Sequence, residues 1–124
     1  MNAKLTLLSA SAAVLVSALP MLAHHSFAAE YDSKNKIELK GVVTKFEWTN
    51  PHALIYLDVK DGQGIVKQWT IELMSPSQLK ALGWARDIVK PGDVISCTGG
   101  RAKSGLPSML SSSLRLSDGR TIKS

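Results

Sequence analysis

The stretch ALIYLDVKDGQGIVKQWTIELMSPSQLKALG, Ala53 to Gly83, carries the organisation of the chain. Ala53, Ile55, Leu57 and Val59 alternate with Leu54, Tyr56, Asp58 and Lys60. That period of two belongs to a strand with one face in a core. Asp61 to Gly64, DGQG, consists of turn residues and predicts a hairpin. On the returning strand, Ile65, Trp69, Ile71 and Leu73 form the inward set. The period then lengthens. Ser75 stands at a helix N-cap, Pro76 at the first helical position and Gln78 where a capping box needs it. Leu79 and Leu82 supply one apolar stripe, and Gly83 suits a left-handed stop.

Upstream, Ile37 and Leu39 alternate with Glu38 and Lys40, and after Gly41 the apolar phase flips, so that Val42, Phe46 and Trp48 share a face. A glycine at a phase flip predicts a bulge or sharp bend in one long strand. Downstream, Lys90 to Asp93 reads as a turn. Val94–Thr98 and Met109–Leu116 read as strands, and SDGR leads to a short strand at Thr121–Lys123. Strand, strand, strand, helix, strand, strand is the order of a five-stranded oligonucleotide/oligosaccharide-binding (OB) barrel. The predicted class is therefore all-β with one short helix. An open β-sandwich is the alternative with the same order.

The N-terminus reads as an export signal over residues 1–23. Lys4 gives a positive n-region, Leu5 to Leu22 carries no charge, and Ala23 supplies the small residue before a cut. Met21 is large for its position, so cuts after Ala28 or Ala29 are the alternatives. Removal of the signal leaves no membrane span and one domain of roughly 100 residues, large enough for a core without staples. The expected layout is signal 1–23, tail 24–36 and barrel 37–124, exported to the periplasm or secreted. The formal net charge of +5 bears on solubility and weak anion attraction rather than marking a nucleic-acid protein. Beyond Gly100, Arg101, Lys103, Arg115, Arg120 and Lys123 face only Asp118, a weakly basic edge. The one cysteine, Cys97, cannot form an internal disulfide and reads as a small buried apolar residue.

HHSFAAEYD, LKGVVTKFEWTNPHALIYLDVKD, GWARDIVKPGD and SDGRTI together resemble a family of small exported bacterial proteins of uncharacterised function. The likeness covers nearly all of the chain beyond the signal, and EWTNPH with the His-His run carries most of it. It implies an exported OB-like barrel and supplies no catalytic residues. Ala53, where a larger residue often follows the histidine, departs from the pattern in packing only.

The three histidines are His24, His25 and His52. A cut after Ala23 gives His24 a free α-amino group, which with its own Nδ1 forms a chelating pair. A third nitrogen from His52 would complete a histidine brace. Nitrogen-rich ligand sets of this kind suit Cu(II), and the amine loses its proton to metal readily. The metal candidates are therefore His24, His25 and His52, with copper ahead of zinc because no thiolate or dense carboxylate cluster joins them. Pro51 stiffens the corner before His52. The alternative is a metal-free module that binds a ligand or protein partner through Trp48, Asn50 and Tyr56, the OB type of surface. Nucleic acid is a poor partner for an exported chain of modest charge. Glu47 and Glu72 read as a surface carboxylate pair, Trp84 as a cap on the barrel with Arg86 beside a carboxylate, and no enzymatic signature is present. A copper oxidase of the brace type is a third class.

Overall fold

A computed structural model describes residues 30–124. The signal segment, His24 and His25 lie outside the described residues. Among these residues six strands and one helix follow in order: β1 (Tyr31–Glu47), β2 (Leu54–Lys60), β3 (Val66–Glu72), α1 (Pro76–Ala81), β4 (Val94–Ala102), β5 (Ser108–Arg115) and β6 (Thr121–Lys123). The sheet order is β3-β2-β1-β4-β5-β6, and a further pairing joins β3 to β5. That parallel contact, Thr70 to Ser108 through Glu72 to Leu110, closes five strands into a ring. The alternative of an open sandwich is thereby set aside. β5 shares its second edge: its first half pairs with β3 and its last residues, Ser113–Arg115, with β6.

Closure depends on β1, 17 residues long, which pairs with β4 from Tyr31 to Val42 and with β2 from Val42 to Glu47. The sequence places the phase flip at Gly41, but the strand flips three residues later. Val43 pairs with Leu57 and Lys45 with Tyr56, so Thr44 is the extra, bulged residue. Its Oγ1 donates to the Tyr56 carbonyl at 3.2 Å. Val43 is consequently buried and Val42 exposed, the reverse of the expected pair, while Phe46 follows the new phase onto the core. Gly41 has a different task. A Cβ there would collide with the Asp58 carbonyl oxygen and come within 2.9 Å of Leu57 Cγ, so only glycine lets β1 cross β2 this closely. Gly99 does the same on β4, where a Cβ would meet the Leu110 carbonyl of β5. The strand also starts earlier than the period-two pattern suggests, at Tyr31 rather than Ile37.

The inward set of β2 and β3 behaves as its periodicity predicts. Ala53, Ile55, Leu57, Ile71 and Leu73 are fully buried and Trp69 nearly so. Ile65 is the exception: it falls in the hairpin before β3 begins and is exposed. Ser75 caps α1 in a complete capping box with Gln78, and Gly83 takes φ +93° after it. Leu79 is buried under the barrel end, whereas Leu82, at the C-cap, is largely exposed. Trp84 closes the same end, donating Nε1–H to the Lys123 carbonyl at 2.7 Å. Arg86 stays exposed, and among the described residues it has no carboxylate at ion-pair distance. No helix among the described residues is long and apolar enough to cross a membrane.

Because the obstacle at Gly41 is backbone rather than a flexible side chain, Gly41→Val should cost about 3 kcal/mol of stability through overpacking. Gly62→Ala, where the added Cβ meets nothing, should change stability by less than about 0.5 kcal/mol. Urea denaturation of both variants measures the contrast.

Candidate functional site

His52 follows the turn Thr49–Pro51 and precedes β2, in a corner fixed by backbone bonds. Ala53 N–H donates to the Met74 carbonyl at 3.1 Å, and Leu73 N–H to the Ala53 carbonyl at 3.0 Å. Thr49 Oγ1 donates to the His52 carbonyl at 3.2 Å. The Asn50–Pro51 peptide is cis. Glu72 ends β3 opposite Leu54, and Tyr31 and Ser108 begin β1 and β5. Three strand ends and one corner thus converge.

Glu72 is the hub. Its Oε1 lies 2.7 Å from His52 Nδ1, and its Oε2 accepts from Tyr31 OH at 2.9 Å. Tyr31 has one hydroxyl proton and gives it to Glu72, so the 3.1 Å contact with Ser108 Oγ is a donation from the serine. Glu72 is only 9% exposed, and a buried carboxylate needs such donors on both oxygens. An acceptor-only carboxylate also sets the histidine tautomer. Nδ1 carries the proton, and in the neutral ring Nε2 carries the lone pair. His52 is partly exposed, with 28% of its side chain open to solvent.

The expected pair of surface carboxylates does not exist as such. Glu47 is bound to Lys45 at 2.6 Å, while Glu72 is turned into the Tyr31–His52 network. Periodicity assigns Glu72 to the outer side of β3, and it does occupy that side. Ends of other strands cover it, which a single-strand pattern cannot register. Sequence reasoning missed Tyr31 as well, although it lies inside the HHSFAAEYD run that carries the family resemblance.

Of the metal candidates, the described residues include His52 alone, and no group of three ligating side chains occurs among them. His24 and His25 lie outside. Of the alternative surface, Trp48 is half-buried and meets Phe46 edge-on, with ring centroids 5.9 Å apart. Asn50 is exposed in the turn. Tyr56 stands half-buried on the outer side of β2, with Lys45 Nζ 5.8 Å from its ring centroid. Cys97 is buried on β4, and burial pushes its thiol up to about 12.

A five-stranded ring closed by β3 and β5, with its helix between the third and fourth strands, defines an OB-fold protein. The chain belongs to DUF6152, a family of unknown function, whose match spans residues 12–110. No curated protein matches it in sequence. Among solved structures it resembles two crystal forms of the mitochondrial single-stranded DNA-binding protein of S. cerevisiae. The first has a TM-score of 0.51 at 14% identity, over 66% of this chain and 92% of that one. The second has a TM-score of 0.51 at 13% identity, over 66% and 91%. At such identities the likeness is one of fold.

Two measurements test the local chemistry. Tyr31→Phe removes the donor to a buried carboxylate and should cost about 2 kcal/mol in urea denaturation. In a double-mutant cycle with Glu72→Gln the two losses should fall short of adding, since both remove one bond. The Cys97 thiol is neutral in the folded chain, because burial raises its pKa from the ordinary value of 9.0 to about 12. Its stabilising contribution is therefore complete below about pH 9 and should be lost as pH rises from there toward 12. Native protein at pH 8 should resist alkylation until denaturant is added.

Proposed function

We propose that this protein is an exported, non-enzymatic binding module that holds a transition metal, copper by preference, between the histidines of its mature N-terminus and His52. The observation that supports the reading is the 2.7 Å contact between His52 Nδ1 and Glu72. Metal-binding histidines characteristically give their second ring N–H to a carboxylate or carbonyl, which fixes the tautomer and makes the ligating nitrogen more basic. Here that carboxylate is itself held by Tyr31 and, through it, by Ser108. In such a site His52 supplies Nε2, and His24 supplies its amine and Nδ1 once a cut after Ala23 frees them, with His25 adjacent. An all-nitrogen set of this kind favours Cu(II) among the divalent ions. Copper would bring its redox chemistry with it; the chain itself contributes ligands and their orientation.

Tyr31 also ties the reading together along the chain, since it begins β1 six residues beyond His25 in the sequence and already touches the group that orients His52.

Intact mass of the exported protein should begin at His24. Titration of that form with Cu(II) should give one tight equivalent. His52→Ala should weaken it by about a hundredfold and Glu72→Gln by about tenfold, the range that loss of an orienting partner costs. Equal affinity in wild type and His52→Ala would overturn the reading, and so would a mature mass starting at Ala29 or Glu30.

A further inference from the structure

A second concavity opens at the other end of the β2–β3 hairpin. The His52 corner lies at the Leu54–Glu72 pair, and this concavity reaches Lys60, at the far end of the hairpin. It is a cavity of about 500 Å³ framed by β1, β2, β3 and β4. Its floor is apolar, made by Leu39, Val59 and Trp69. Its walls carry four cations, Lys40, Lys60, Lys67 and Arg101, against two carboxylates, Glu38 and Asp61.

Two of those cations occupy positions that a barrel normally fills with apolar side chains. On β4, Ile95 and Cys97 point inward and are buried, and Arg101 continues the same alternation. On β3, Lys67 precedes Trp69 and Ile71 on the inward side. Neither is an outer-surface charge by register. Arg101 lays its guanidinium over the Trp69 ring, with Cζ 5.3 Å from the centroid. Stacking of this kind holds the guanidinium plane while its N–H edge remains able to grip an oxyanion in bidentate fashion. The nearby carboxylates do not neutralise it. Asp61 Oδ1 accepts from Gln63 N–H and Ile65 N–H, both at 2.9 Å, in the hairpin turn. Among the described residues neither Glu38 nor Asp61 is at ion-pair distance from any of the four cations.

We propose that this mouth is a binding site for a small organic anion, a carboxylate or phosphate ester carrying an apolar body. The oxyanion would meet Arg101 and Lys67, and the body would lie on Leu39 and Val59, beside Trp69. The volume falls in the range of small-molecule sites. A concave wall with unneutralised positive charge concentrates anions. A stacked single-stranded nucleic acid fits less well, because Trp69 is only 7% exposed and Arg101 already covers its face.

NMR titration of the ¹⁵N-labelled mature chain tests this without metal. Benzoate and hexanoate should shift the Trp69 indole N–H and the Arg101 Nε–H signals and saturate. Neutral benzamide should not bind, and inorganic phosphate, lacking the body, should bind about tenfold more weakly. Arg101→Gln and Lys67→Gln should each weaken benzoate by about tenfold, one charged hydrogen bond's worth, with dispersed spectra showing that both variants fold. Lys80→Gln, on α1, should leave it unchanged. Benzamide binding like benzoate, phosphate binding as well as either organic acid, or an Arg101→Gln affinity equal to wild type would each overturn the proposal. Tighter binding of an eight-nucleotide oligothymidylate, with shifts spread over the outer faces of β2 and β5, would overturn it in favour of a nucleic-acid surface.

Discussion

The molecule depends on one strand serving two neighbours. β1 must hydrogen-bond to β4 along its first part and to β2 along its last, and these partners lie on opposite sides of it around the ring. A regular strand of that length cannot bend sharply enough to do both. Two local concessions make it possible. Gly41 removes the side chain where β1 passes the Asp58 carbonyl, and Thr44 adds a residue that reverses the inward alternation just beyond. The bulge also increases twist, which a barrel of five strands needs in order to close. Everything enclosed, from Val43 to Leu114, is buried because those two residues permit closure.

Closure has a cost at the strand ends. Where β1 begins and β3 stops, side chains with polar tips meet: Tyr31, Ser108, Glu72 and His52. An ionised carboxylate placed there would be strongly destabilising if unpaired. Each of its oxygens therefore takes a donor from a different element, and the same pairing locks those elements in register. No buried side-chain nitrogen or oxygen among the described residues is left without a partner. The network belongs to the barrel's architecture before it belongs to any ligand. That is the reason it can hold an imidazole rigidly: the histidine is oriented by a group that the fold has already immobilised.

The strand alternation of Ala53 to Val59, the capping box at Ser75 and the glycine stop after α1 were all legible, because each is decided within a few residues. The phase flip was legible as an event but not in position. Val42 and Val43 read alike by hydropathy, and only the register with Leu57 and Tyr56 shows that Thr44 is the extra residue. Ile65 failed for a related reason: it belongs to the hairpin turn, bonded to Asp61 with its side chain left exposed. Glu72 was the largest omission. Its alternation is outward and its type polar, so a one-dimensional reading sends it to solvent. Its burial comes from Tyr31, 41 residues away, and such coverings are a property of topology.

The two ends of the β2–β3 hairpin show the same principle with opposite charge. At the corner, a negative group is buried and fully answered by donors, so that the residue presented outward is an oriented imidazole. At the mouth, positive groups occupy inward positions and the neighbouring carboxylates are committed to a turn or lie beyond pairing distance. Lysine and arginine stems can rest on apolar walls while their heads reach water, yet stacking on Trp69 fixes one of those heads where flexibility would have been less restrictive. One end of the hairpin therefore uses its polar groups to hold an imidazole still, and the other keeps positive charges with no carboxylate at ion-pair distance among the described residues.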